Sequence, residues 1–180
     1  MTAALAEQTL RPVHERLAER MSTSWSNHLE SEVKFEVGAI EIMSASSSSA
    51  LPENLRVYRF EADPLVGAAW VAFSANLANA YVYRASGGLN GTPDQGSRRF
   101  TEEERSQMSA AAIRTAQELE GAWNPLFLFA VHDMNYEPDQ PGISNYKNED
   151  TVCVILIANA HDTVYVCYSV SMVEPTLDPK

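Results

Sequence analysis

The chain has 180 residues and a formal net charge of −11, from 13 lysines and arginines against 24 aspartates and glutamates. Its length suits one domain or two small ones, and with 45% apolar and 21% charged residues it has the composition of a globular protein. The acidic balance argues against nucleic acid and anionic membrane as partners, because both favour lysine and arginine.

The first half of the chain predicts a helix, three strands and a short helix. Apolar residues recur every three or four positions over residues 2–30, which indicates an amphipathic helix with its main body beginning near Pro12. Gly38 marks a bulge in the first strand. A short helix is expected over residues 74–84. Alternating or continuous apolar residues predict three strands between the helices, over residues 33–43, 55–61 and 66–73.

The second half repeats this order after an irregular, glycine-rich stretch at residues 85–99. Thr101 and Glu104 form a capping-box pattern, with Phe100 as the preceding apolar residue, so a helix is expected from there to about residue 122. The ordered pattern is expected to end at Glu174-Pro175. Three strands are predicted after the helix, over residues 126–135, 151–158 and 163–171.

The two halves therefore predict an internal repeat. Trp25 and Trp123 close equivalent helices 98 residues apart, and a shift of 97 residues carries Leu55 onto Val152. We interpret the chain as a pseudo-two-fold α/β domain, in which both helices pack on a shared, largely antiparallel sheet. The alternative is an ordinary mixed α/β domain with coincidental spacing.

Residues of catalytic or metal-binding type form no recognisable motif. The glycines near Leu89 fit neither a dinucleotide nor a phosphate-loop pattern, and no nucleophile elbow occurs. We therefore expect no cofactor, no metal and no enzymatic activity. The glycine-rich loop is either a partner-binding loop or a linker between the halves. No histidine has a second one at metal-binding spacing; the four are His14, His28, His132 and His161.

Cysteine content and apolar runs bear on the compartment. Cys153 and Cys167 lie on consecutive predicted strands, nearly opposite each other and within bridging reach. We interpret them as two reduced, buried side chains, with a redox role as the alternative. The first residues lack the basic-then-apolar order of a signal peptide, and the longest apolar run is too short to cross a membrane. A reduced, cytoplasmic, soluble protein is expected.

Six short motifs occur in order along the chain: GGLNG, RRFTEEE, LEGAWNP, HDMNYEP, NED-T-V and SMVEP. Together with the opening RLAERMSTSWSNHLESEVKFEVGAIE, they resemble the middle domain of the flagellar motor switch family FliM, from about Leu10 to Pro175. The resemblance implies a three-layer α/β/α, CheC-like fold with pseudo-two-fold symmetry. It also implies a single domain over residues 1–180, without the family's N-terminal CheY-binding peptide and without its C-terminal FliN-like domain.

The resemblance further implies a non-catalytic scaffold of the motor switch complex (the C-ring), at the cytoplasmic face of the inner membrane in the bacterial flagellum. Its expected partners are FliG and neighbouring copies, with FliN and CheY as further candidates; no nucleic acid and no membrane insertion are expected. By position, the family's FliG-contacting loop falls on Gly87, Gly88, Leu89, Asn90 and Gly91. The family usually has a single residue before the third glycine, where this chain has Leu89 and Asn90.

Two alternatives to the motor scaffold stay open. One is a CheC- or CheX-type phosphatase acting on phosphorylated CheY, which the resemblance ties to a Glu and an Asn three residues apart on each of two helices. Here Ser24 precedes Asn27 and Gly121 precedes Asn124, so neither pair fits. The other alternative is a scaffold of a related type III secretion apparatus.

Overall fold

A six-stranded antiparallel sheet, built from both halves of the chain, organises the protein. The computed structural model describes residues 1–44, 51–52, 54–88, 98–137 and 150–177. The strands stand in the order β1-β5-β6-β3-β2-β4. In chain order the elements are α1 (Ala3–Leu29), β1 (Phe35–Met43), β2 (Arg56–Asp63), β3 (Ala69–Phe73), α2 (Ala75–Ala85), α3 (Glu102–Trp123), β4 (Ala130–Glu137), β5 (Thr151–Ala158), β6 (Asp162–Ser169) and α4 (Val170–Leu177).

The sheet has the predicted pseudo-two-fold symmetry. Exchanging β1 with β4, β2 with β5 and β3 with β6 reverses the strand order and changes nothing else. The register repeats as well: β1 pairs Phe35 with Ala158 and β4 pairs Ala130 with Asp63, so the repeat is 95 residues (130 − 35 and 158 − 63). Even the bulge expected at Gly38 recurs, as a register shift between β2 and β4. The repeat is thus confirmed.

The predicted shift of 97 residues is wrong by two positions for β1 and β2, whose counterparts β4 and β5 follow them by 95 residues. The tryptophans at the helix ends are 98 residues apart because the connection differs between the halves. Trp25 precedes the first residue of β1 by ten positions, whereas Trp123 precedes the first residue of β4 by seven. Helices and strands therefore repeat with different periods.

Element boundaries differ from the predictions at several points, including the strands predicted from residues 66 and 126, which begin at 69 and 130. α1 continues through Pro12 and starts at a cap in which the Thr2 side chain accepts from the Leu5 amide, because packing of the whole apolar face outweighs the missing amide hydrogen. The last strand ends at Ser169, and α4 follows it as α2 follows β3. α4 then passes Pro175 and ends at Leu177, so the ordered pattern continues beyond its predicted end.

The main core lies between one face of the sheet and the helices. All four helices contribute fully buried side chains to it, and Trp25 and Trp123 are at its centre with no exposed surface. This arrangement confirms the predicted α/β class with a largely antiparallel sheet. No helix among the described residues is long and apolar enough to span a bilayer. The opposite sheet face carries a smaller buried cluster, of Leu55, Val57, Ala68, Trp70, Ala72, Cys153, Tyr165 and Cys167.

The expectation of two separate, reduced cysteines is wrong in the structure. Cys153 and Cys167 are directly paired in the β5–β6 register, with their Cα atoms 4.1 Å apart, and a disulfide joins them. The pairing of adjacent antiparallel strands accounts for this, because directly opposed side chains lie within bridging distance. The bond lies on the sheet face that carries the smaller cluster.

The turn between β5 and β6 holds an alanine in a left-handed conformation. Asn159 and Ala160 have φ of 48° and 70°, and the His161 amide donates to the Ala158 carbonyl at 3.2 Å. Two successive positive φ values favour Asn-Gly, since Gly has no Cβ to clash. Ala160→Gly is therefore expected to raise the free energy of unfolding by about 0.5–1 kcal/mol in urea denaturation.

The control for this change is the same substitution on a helix. Ala110 is exposed within α3, and Ala110→Gly is expected to lower the free energy of unfolding by about 0.5–1 kcal/mol. Opposite signs for the two variants support the strain at Ala160. A loss of stability in both would contradict it.

Candidate protein-binding site

The predicted loop begins directly at the end of α2. Gly87 and Gly88 are described, whereas Leu89, Asn90 and Gly91 lie outside the described residues. The Gly87 amide donates to the Arg84 carbonyl at 2.9 Å and the Gly88 amide donates to the Tyr83 carbonyl at 3.0 Å. These bonds satisfy the last carbonyls of the helix and turn the chain away from it.

The two glycines are required for different reasons. Gly87 has φ of +82°, and a Cβ there would meet no atom of the described residues within 4 Å. Gly88 is crowded, because a Cβ there would lie 2.6 Å from the Tyr83 ring and 2.7 Å from its carbonyl oxygen. Gly87 thus allows the turn while facing open space, and Gly88 allows the chain to pass closely over Tyr83.

Arg98 and the first turn of α3 lie beside these glycines and border the same cavity. The Arg98 guanidinium donates to both carboxylate oxygens of Glu104, at 2.8 and 2.6 Å. Glu104 and Thr101 form the predicted capping box, with backbone-to-side-chain distances of 2.9 and 3.2 Å. Chiefly the hydrogen bond from Arg98 lowers the pKa of Glu104 to about 2, so the pair stays charged at neutral pH.

We call this assembly the glycine corner: Ser86, Gly87, Gly88, Arg98 and Glu104. It borders a shallow cavity of about 360 Å³ beside the Tyr83 ring. The Ser86 hydroxyl is bound by the Gln107 amide of α3 at 3.2 Å, which ties the end of α2 to the next helix. The exposed backbone turn of the glycine corner is therefore held against α3 by side-chain hydrogen bonds. Sequence reasoning found the glycines and the capping box, and Arg98 stands in the RRFTEEE motif, but the ion pair of Arg98 with Glu104 was not predicted.

A second concave surface lies between α1 and α3. This groove has a volume of about 730 Å³ and polar walls, including an ion pair between Arg20 and Glu118 at 3.0 Å. Asn27 lines it, beside Ser24. Asn124 does not correspond to Asn27, because its side-chain oxygen accepts the Phe129 amide at 3.0 Å and caps the end of α3. Among the described residues, the groove is therefore lined by Asn27 without an equivalent asparagine from the second half of the repeat.

Pairing of β2 with β4 brings His132 to Glu61 and Asp63, and Asp133 follows it in the chain. Its ring nitrogens lie 3.0 Å from Asp133 and 3.6 Å from Asp63, and the hydrogen bond to Asp133 chiefly raises the pKa of His132. Within the described ranges, Glu61, His132 and Asp133 are the group close enough to share a metal ion. Exposed acidic groups are common without one, and we assign no metal here.

Comparison with known proteins found one matching family model and several similar solved structures. The model of the family described as flagellar motor switch protein FliM matches residues 6–179. No curated protein sequence matches. The crystal structure of the FliG–FliM complex from H. pylori is similar with 20% identity and a TM-score of 0.81, covering 98% of this chain and 99% of that chain.

Two further solved structures share the fold at lower identity. Thermotoga maritima FliY has 12% identity and a TM-score of 0.79, covering 97% of this chain and 94% of that chain. A CheX chain from the CheX–CheY complex of Borrelia burgdorferi has 12% identity and a TM-score of 0.55, covering 88% and 97%. These likenesses concern the fold alone and confirm the predicted relation to the CheX-type fold.

Proposed function

Because this chain belongs to the flagellar motor switch protein FliM family, we propose that its glycine corner contacts FliG. As a member of this family, the chain is a component of the motor switch scaffold. The contact with FliG is supported by the H. pylori relative, which was crystallised as a complex of FliG with FliM. The loop to which the resemblance assigns the FliG contact begins at the turn that follows α2.

One observation carries the proposal: the backbone at Gly87 is open to a partner. No atom of the described residues lies within 4 Å of its Cβ position, and its positive φ turns the chain away from α2. A protruding glycine turn lets a partner backbone approach closely, which side chains would prevent. The rest of the predicted loop, Leu89 to Gly91, is proposed to extend the same contact.

We further propose that the protein acts without catalysis and stands beside neighbouring copies at the cytoplasmic face of the inner membrane. The ring assembly that the family resemblance implies supports this arrangement. FliN and CheY remain candidate partners. The phosphatase alternative is not favoured. The Asn124 side chain is hydrogen-bonded at the end of α3, and the position three residues before it is Gly121, which has no carboxylate.

Gly87→Asn tests the FliG contact. Asn tolerates positive φ better than other side chains, so the fold is expected to persist. The added amide would stand in the contact, and we expect affinity for the FliG middle domain to fall about tenfold or more, as measured by calorimetry. Substitution of Gly88 is unsuitable, because a Cβ there would collide with Tyr83.

The matched control is Ala110→Asn, which adds the same side chain at an exposed position of α3. This variant is expected to bind FliG with unchanged affinity. Thermal unfolding of both variants would establish that the fold is intact. If Gly87→Asn and the unchanged protein bound FliG equally well, the glycine corner would not be the contact.

A further inference from the structure

A third cavity, different from the glycine corner and from the α1–α3 groove, lies where the start of α3 meets β2 and the edge strand β4. Its volume is about 490 Å³, which is within the range of small-molecule sites. It is lined by Arg56, Tyr58, Arg99, Phe100, Arg105 and Tyr136, with Ser109 beside Tyr58. Among the described residues that line it are three arginines and no carboxylate, in a chain whose net charge is −11.

The three arginines lack the usual acidic partners. Among the described residues, no carboxylate forms an ion pair with Arg56, Arg99 or Arg105, whereas neighbouring Arg98 is bound by Glu104. Arg56 binds the Arg98 carbonyl through one terminal nitrogen, while its buried Nε has no hydrogen-bond partner in the described part of the chain. A buried donor of this kind is costly unless a ligand or water satisfies it.

Aromatic rings complete the cavity. The Arg56 guanidinium lies over the Phe100 ring, 4.4 Å from its centroid, so it is held in place by a cation–π contact. The Tyr58 and Tyr136 rings lie 5.4 Å apart on the adjacent strands, and Tyr136 is 38% exposed. Burial raises the pKa of Tyr58 to about 12, so its hydroxyl is a neutral donor at physiological pH.

We propose that this cavity, called the arginine pocket, binds a carboxylate carried on a flat apolar group. Arg56 and Arg105 would hold the anion with charge-assisted hydrogen bonds, and Arg99 would add positive charge at the exposed rim. The Tyr58, Tyr136 and Phe100 rings would pack against the apolar body. The same chemistry is offered by a free aromatic carboxylate and by an acidic residue next to an aromatic one in a partner segment.

The test titrates the intact protein by calorimetry with four probes. Isophthalate represents the free aromatic carboxylate, and the tripeptide acetyl-Glu-Tyr-Glu-amide represents the partner segment. Isophthalamide has the same shape as isophthalate without charge, and inorganic phosphate reports general anion binding. We expect saturable binding of isophthalate, of the tripeptide, or of both. Isophthalamide and phosphate are expected to bind at least about tenfold more weakly.

Variants locate the binding. Arg105→Gln is expected to weaken the better probe about tenfold or more. Arg105 is exposed, so the fold should survive its loss, whereas Arg56→Gln also removes the contact with Phe100 and needs a check by circular dichroism. Arg84→Gln is the matched control, because Arg84 is an exposed arginine at the end of α2 outside the pocket. This variant is expected to bind within twofold of the unchanged protein.

The outcomes separate clearly. Tighter binding of isophthalate identifies a free small molecule as the source of the carboxylate, and tighter binding of the tripeptide identifies a partner segment; either supports the pocket. The proposal is overturned if neither carboxylate binds saturably, if phosphate binds as well as both, or if Arg105→Gln and Arg84→Gln have equal effects. Arg105 is not part of the glycine corner, so Arg105→Gln tests the arginine pocket independently of FliG binding, whereas Arg56→Gln also removes a hydrogen bond to the Arg98 carbonyl.

Discussion

Replacing Trp123 with alanine is expected to lower the free energy of unfolding by about 3–5 kcal/mol. The side chain has no exposed surface, stacks on Phe129 with centroids 5.6 Å apart and meets Tyr168 edge-on. Its loss would leave a large cavity at the centre of the main core. Equilibrium unfolding in urea measures the change. A cost below about 1 kcal/mol would contradict the central position of this residue.

Trp25 is the matched position in the other half of the repeat, and the two tryptophans differ in one contact. The Trp123 indole donates to the Tyr168 hydroxyl at 3.4 Å, whereas the buried Trp25 indole nitrogen has no partner among the described residues. Substitution by phenylalanine removes similar volume at both. We therefore expect Trp123→Phe to cost about 1 kcal/mol more than Trp25→Phe. An equal or reversed order would show that the hydrogen bond contributes nothing.

The second large effect concerns His14, which lies in the core with no exposed surface. Its Nδ1 lies 2.8 Å from the Leu10 carbonyl, so Nδ1 carries the hydrogen and donates. Its Nε2 then accepts from the Tyr168 hydroxyl at 3.0 Å, and Tyr168 accepts from Trp123. With His14 neutral, its two ring nitrogens, the Tyr168 hydroxyl and the Trp123 indole N–H all have hydrogen-bond partners. Protonation would break the bond at Nε2.

This chain of hydrogen bonds predicts that stability falls in mild acid. Burial lowers the pKa of His14 to about 4, against an ordinary value of 6.5 in the unfolded chain. Between these values the unfolded state binds more protons, so stability is fully present above pH 6.5 and is lost as the pH falls towards 4. The expected loss over this window is roughly 2–4 kcal/mol. Urea midpoints measured between pH 7 and 4.5 would report most of it.

His14→Gln should flatten the pH dependence, because glutamine can accept from Tyr168 but does not titrate. The flattening is expected even though the variant is less stable at pH 7. His161→Gln controls for the loss of a titratable side chain, since His161 is exposed in the β5–β6 turn. Glu104 interferes little above pH 4.5, because its stabilising effect is lost between the ordinary pKa of 4.5 in the unfolded chain and the pKa of about 2 in the fold. An unchanged slope in His14→Gln would contradict the assignment.

Local sequence signals were sufficient where the contacts are local. The capping box joins Thr101 and Glu104 across three residues, and the structure contains it as predicted. The apolar periodicity of α1 and α3, and the alternation that predicts the strands, likewise report on neighbours along one element. The same reasoning located the glycine turn after α2, because glycine is read directly from the chain. It could not show that Gly88 is crowded by Tyr83, since that depends on the angle of the turn.

The pairing of strands that are distant in the sequence could not be predicted from the sequence. The strand order and the 95-residue register result from which strands exchange backbone hydrogen bonds, and a two-residue error in the shift is invisible to a pattern with a period of two. The disulfide was missed for a related reason. The spacing placed Cys153 near Cys167, and compartment arguments then favoured separate thiols, whereas the register places their Cα atoms 4.1 Å apart.

By itself, the sequence determined the α/β class, the two-half repeat, the helix cap and the family resemblance, because each depends on residue types at short or regular spacing. Only the tertiary structure decided what surrounds the buried and charged groups. His14 meets Tyr168 across 154 residues, and Arg56 of β2 faces Arg105 of α3 across the arginine pocket. The physical reason is that the chemistry of a polar side chain depends on burial and on its neighbours in space, which are set when the sheet and its helices close together.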